Sequence, residues 1–168
     1  MAGEQRYFFL NLVPAGVHGG SPKAGHQDWL ELENWDFSMN QTADPNSKGG
    51  RPSKTSATGR FGFSIVHNGP MLFFLAASGQ YITSPITFEA ERSGLNAGAG
   101  GTGTGVYLQL VFTKSVVSHR SLSGDDGQKT EHIELVFEKV SMTYRQVVNG
   151  NLGPPMTKTY DAKTNKVS

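Results

Sequence analysis

The clearest pattern of apolar and polar positions lies between Val106 and Val147, where two long alternating stretches are joined by a polar connection. In the first stretch Val106, Leu108, Leu110 and Phe112 share one parity, and Gln109, Thr113 and Ser115 take the other. Successive side chains of a strand point to opposite faces of its sheet, so this period of two predicts a half-buried β-strand. The second stretch begins on Ile133, Leu135 and Phe137, then changes parity to Val140, Met142 and Tyr144. A buried face that switches part-way requires a bulge or a corner, and both are common where sheets curl into barrels. Gly124-Asp125-Asp126-Gly127 supplies turn chemistry between the two, within a connection that reads as longer than a two-residue hairpin.

The same signals recur along the chain. A strand is predicted over 6–13, followed by a loop rich in Gly and Pro from Pro14 to Gln27. Residues 28–40 form another strand with a change of phase: Leu30 and Leu32 on one parity, then Trp35, Phe37 and Met39 on the other, opposite Asp36 and Ser38. A polar loop, 41–59, precedes a strand over 60–67. Asn68-Gly69-Pro70 then opens a helix over MLFFLAAS, with Leu72, Phe73, Leu75 and Ala76 as its core face and Gly79 as its C-terminal cap. A strand over 81–92 places Ile86, Phe88 and Ala90 opposite Thr87, Glu89 and Glu91. The low-complexity segment 93–105 is read as a flexible loop, and the last residues supply a short edge strand. The fold class is therefore mainly β: an antiparallel β-barrel of curled strands with one short flanking α-helix, in one domain over 1–168.

Composition narrows the function more than the fold. The 168 residues carry fifteen basic and fourteen acidic side chains without a block of like charge, so nothing marks a nucleic-acid footprint. Cysteine is absent, which removes disulfides and thiolate metal sites and fits a reducing compartment. The 21 glycines concentrate in loops. The run Tyr7 to Val13 is short, contains Asn11 and lacks a small-residue cleavage site, so it reads as a first strand rather than a secretion signal. No stretch approaches the ~20 apolar residues that span a bilayer, so no membrane insertion is expected.

Candidate chemistry is sparse. The histidines at 18, 26, 67, 119 and 132 show no pair at metal-ligand spacing, and His18 and His26 read as members of a solvated loop. The segment 93–105 lacks the Gly-Lys-Ser/Thr that would close a phosphate loop, and no Gly-x-Ser-x-Gly elbow presents a nucleophile. Glu31, Glu33 and Asp36 on one strand, with Glu89 and Glu91 on another, read as carboxylates on the wet face of a sheet. No catalytic residue, metal ligand or cofactor is assigned, and the chain is not expected to be an enzyme. Lys48, Arg51 and Lys54 make the long polar loop basic; poor in apolar residues, it reads as a mobile surface loop in an isolated monomer or as a segment that a partner surface orders.

The order of the elements, with the Trp35-x-Phe37 pair, the helix ending Ala-Ala-Ser-Gly and the strand ending Met142-Thr143-Tyr144, resembles the haemolysin-coregulated protein (Hcp) family from Tyr7 to about Lys166. That family supplies the tail tube of the bacterial type VI secretion system. The segment 93–105 is longer than the usual pattern. The resemblance implies a barrel flanked by one helix, assembled as a homo-hexameric ring with a wide channel. Rings stack into a tube driven by a contractile sheath, tipped by a valine-glycine repeat spike protein and carrying small effector proteins. It also implies residence in the bacterial cytoplasm before firing, then export to the extracellular space or a target cell without a signal peptide. On this resemblance Asp36 and Ser38 face the channel and its cargo, and Lys48, Arg51 and Lys54 meet a neighbouring subunit or ring. A different class remains open: a monomeric barrel or sandwich binding a small molecule or sugar, with Trp29 or Trp35 as its stacking platform.

Overall fold

The computed structural model describes residues 5–41, 57–66, 69–96, 102–125 and 127–168. Its strands are β1 (Arg6–Asn11), β2 (Leu30–Glu31), β3 (Asn34–Gln41), β4 (Ala57–Val66), β5 (Ile86–Asn96), β6 (Thr102–Asp125), β7 (Gln128–Val148), β8 (Asn151–Asp161) and β9 (Lys166–Val167), with one helix, α1 (Met71–Ser78). All strand pairs are antiparallel, in the order β2-β1-β5-β6-β7-β4-β3, with β8 on β7 and β9 on β8. The predicted mainly-β fold with one short helix is what forms.

The ladder itself is not closed, and the reason lies in the change of phase read at 28–40. That stretch is two strands rather than one: β2 pairs with β1, and β3 pairs with β4. Between them Leu32 N–H donates to Phe8 O and Glu33 N–H to Ser64 O, so one bent segment ties the two ends of the sheet together. Inside the curl Phe61, Phe63, Phe88 and Phe112 are fully enclosed, with Leu10, Ile86, Leu110, Ile133 and Leu135. Trp35 and Phe37 pack against this core from β3, Trp35 edge-on to Phe8 at 6.0 Å and Phe37 stacked on Phe137 at 6.0 Å.

The corner predicted in the second long strand exists, and it involves both partners. In β7 the buried positions step from Phe137 to Val140, and in β6 from Phe112 to Ser115. Phe112 faces Val140 and Ser115 faces Phe137, so both strands turn together. Lys114 adopts φ +53° at that point, and its Nζ donates to Glu138 Oε2 at 2.6 Å on the outside. The far edge of β7 changes partner at the same place, from β4 through Val136 to β8 from Lys139.

Three local readings are corrected. The connection of the central pair is a two-residue hairpin after all: Asp125 pairs with Gln128, and Gly127 takes φ +97°, the left-handed conformation such turns need. Much of the segment read as a flexible glycine loop is strand, because β5 runs on to Asn96 and β6 starts at Thr102. Finally, α1 is apolar on every side, so only one stripe of it can reach the sheet. Leu72 and Leu75 are that stripe, while Phe73 and Phe74 point outward at 59% and 52% exposure rather than joining the core. Gly79 caps the helix as expected, its N–H donating to Leu75 O at 3.2 Å.

Candidate functional site

Alternation sends Asp36 and Ser38 to the outer face of β3, because Trp35 and Phe37 occupy the inner one. Asp36 lies across from Gly62 of β4, where an added Cβ would stand 2.3 Å from its Oδ1. Only glycine leaves room for the carboxylate to lean over the backbone. Asp36 Oδ2 accepts from Arg60 Nη2 at 3.2 Å, and Arg60 Nη1 donates to Glu134 of β7. His132 Nε2 lies 3.6 Å from Glu134 Oε1, and its Nδ1 lies 3.1 Å from Ser64 Oγ. The result is an open row of alternating charge across β3, β4 and β7. Ser38, half-buried, sits opposite Arg60 in the register. Lys48, Arg51 and Lys54 lie outside the described residues.

The opposite side of the sheet holds a constellation that the sequence did not disclose. Phe9 has the outward parity of β1, yet it is only 2% exposed, because residues 16–29 fold over it. His26, read as solvated, is 4% exposed and stacks on the Phe9 ring at 4.2 Å, with Trp29 edge-on at 4.7 Å. Its Nε2 lies 2.7 Å from Glu89 Oε2, and its Nδ1 faces Glu91 Oε1 at 3.7 Å. Lys23 ion-pairs with Glu91 and places its ammonium 4.3 Å above the Tyr7 ring and 4.9 Å above Phe9. Gln109 of β6 donates to Glu89 Oε1 at 2.7 Å, and Ser21 Oγ donates to Glu31 Oε1 at 2.7 Å. Glu89 and Glu91, expected on a wet face, are therefore beneath a cover. A weak signal was available, since Phe9 puts a large apolar side chain on a parity otherwise polar.

The two proposed stacking platforms are also placed. Trp35 touches Phe61 and Phe88 as well as Phe8, so its ring belongs to the packing of the barrel. Trp29 is half-buried against His26. The exposed aromatic surface is instead on α1, where Met71, Phe73 and Phe74 stand open beside Tyr81. Arg120 of β6 covers one side of the Phe73 ring at 5.6 Å and ion-pairs with the enclosed Glu131.

Among the described residues, Lys114 and Asp161 depart from their ordinary values. The hydrogen bond to Glu138, with its charge, raises Lys114 above the usual lysine range. The backbone N–H of Thr164 and, less strongly, that of Lys163 hold Asp161 below the usual aspartate range. Both pairs are structural ties at strand ends and corners. Among the described residues no group of three or more His, Asp or Glu side chains is arranged to hold a metal ion.

Residues 9–144 match the family described as "Type VI secretion system effector, Hcp". The chain belongs to the Hcp family. Among solved structures, Hcp1 from Salmonella typhimurium is 27% identical with a TM-score of 0.72, the similarity covering 97% of this chain and 99% of that one. A protein described only as a type six secretion system protein has 20% identity and a TM-score of 0.75, covering 98% and 100%. A type VI secretion system effector from Yersinia pestis has 20% identity and a TM-score of 0.64, covering 92% and 98%; these last two speak for the fold alone. No curated protein sequence matches the chain. The chain is a type VI secretion Hcp tube protein, of a family of structural, secreted proteins rather than a known enzyme family. No helix of the described residues is long and apolar enough to cross a membrane.

Proposed function

We propose that six copies of this chain, each a single tube-subunit domain, close into a ring, and that the rings stack as the inner tube of a type VI secretion system with small effectors carried in the channel. Membership of the Hcp family over residues 9–144 carries this reading. The exposed apolar face of α1 supports it, since a patch of that kind marks an interaction surface. A head-to-tail interface closes into a ring when its rotation divides the circle. The contractile sheath and the valine-glycine repeat spike are the remaining partners. The protein waits in the bacterial cytoplasm and leaves with the tube.

Within this reading the outer face of β3 lines the channel, with Asp36 and Ser38 as cargo contacts. A cationic group on a guest would compete with Arg60 for Asp36, a charge-assisted bond contributing roughly 1.5–3 kcal/mol at most. The loop bearing Lys48, Arg51 and Lys54 reaches a neighbouring subunit or ring.

One experiment tests all three parts: native mass and secretion of the parent, of Asp36→Asn and of a deletion of residues 46–56. The parent is expected at six times the 18.1 kDa chain mass. Asp36→Asn, which keeps the shape, is expected to retain the ring and lose co-purifying effector. The deletion is expected to stay folded and assemble less well. A parent that remains monomeric at micromolar concentration overturns the ring; normal cargo handling or normal assembly by the variants overturns the corresponding role.

A further inference from the structure

Residues 16–29 form a strap across the outer face of β1 and β5, and its middle is held by charge. We infer that His26 makes this strap a proton-sensitive latch, closed most firmly when the imidazole is protonated.

The protonation argument rests on the donors and acceptors around one ring. With both nitrogens protonated, His26 donates to Glu89 through Nε2 at 2.7 Å and presents a second N–H to Glu91 Oε1 at 3.7 Å. With one proton lost, a nitrogen lone pair is turned toward a carboxylate inside a covered site. The charges that face the ring come from every element around it. Glu89 and Glu91 stand on β5, Lys23 and the more distant Asp28 on the strap itself, and Glu31 reaches the strap through Ser21. From β1 come Tyr7 and the uncharged Phe9, and from β6 the neutral amide of Gln109. Lys23 offsets one of the two carboxylates on β5, and protonated His26 offsets the other. Losing that proton leaves a carboxylate under the strap without its counter-charge, so the latch's contribution is present while the imidazole is doubly protonated and is lost with the proton.

Hydrogen exchange by mass spectrometry on the intact protein tests this, with rates corrected for intrinsic pH dependence and peptides of β6 and β7 as internal references. Between about pH 5.5 and about pH 8, strap peptides of the parent are expected to lose protection about fivefold. His26→Gln keeps a donor for Glu89 but cannot titrate, so its strap is expected to exchange equally at both values. Glu91→Gln, a milder change, is expected to shrink the pH response. A parent strap indifferent to pH, a response that survives in His26→Gln, or one undiminished in Glu91→Gln, overturns the latch.

Discussion

The two outer faces of this curled sheet are built from the same pattern and end in different states. On β5, Glu89 and Glu91 alternate with Phe88 and Ala90; on β3, Asp36 and Ser38 alternate with Trp35 and Phe37. Yet Glu91 keeps 9% of its side chain exposed and Asp36 keeps 50%. The difference is the strap. Residues 16–29 close over β1 and β5 and put an imidazole and an ammonium against the carboxylates. Across β3 and β4 the described residues leave Asp36 and Arg60 open to solvent, while Glu134 of β7 is only 20% exposed. Alternation reports which face of a sheet a side chain takes; what covers that face is a property of the distant segment that crosses it.

Substitutions on the two faces should therefore differ in size. The largest effect belongs to Phe9→Ala, which removes an enclosed ring from the covered face and leaves His26 and Lys23 without their floor. A loss of about 3–5 kcal/mol is expected, read as a fall in the denaturant midpoint. A loss below ~1 kcal/mol would mean that the strap adds little to the fold.

Next comes a matched pair. Glu91→Ala deprives Lys23 of its ionic partner in a covered site, and about 2 kcal/mol is expected. Asp36→Ala breaks an exposed pair with Arg60, and less than about 1 kcal/mol is expected. The same denaturation measurement compares them, and equal losses would erase the distinction between the faces.

The smallest effect is at the margin of the sheet. Asp161 accepts from the backbone N–H groups of Lys163 at 2.9 Å and Thr164 at 3.1 Å, which hold its carboxyl below the usual range. A lowered folded value gives stability that is present above the ordinary aspartate range and lost as pH falls through the folded value. Asp161→Asn should remove a slight acid-side slope in stability and leave neutral pH almost unchanged, as a thermal melt at stepped pH would show. An undiminished acid slope would place the titration elsewhere.

Much of the architecture was legible because strand burial leaves a period of two. The parity switch from Phe137 to Val140 announced a corner that is there. Its counterpart in β6 was not legible, since Ser115 reads as a surface residue until Phe137 is placed opposite it. The tight closure at the Asp125–Gln128 pair was hidden for a related reason: His119, Arg120 and Ser121 look like a loop by polarity, but pairing with β7 makes them strand. The constellation at His26 was missed because its parts lie far apart in the chain, at 9, 23–29 and 89–91, and a histidine between Gly25 and Gln27 carries no mark of burial.

By itself, the sequence determined the class of the fold, the alternating faces of the strands, the lone helix with its glycine cap, and a resemblance that the family match supports. These depend on local periodicity and on the order of elements, both of which are written along the chain. Tertiary structure alone decided which side of an all-apolar helix is buried, how the segment 30–41 ties the two ends of the sheet together, and which carboxylates are covered. Each of those is a contact between residues tens of positions apart, set by how strands curl and where a loop happens to cross, and no local pattern encodes it.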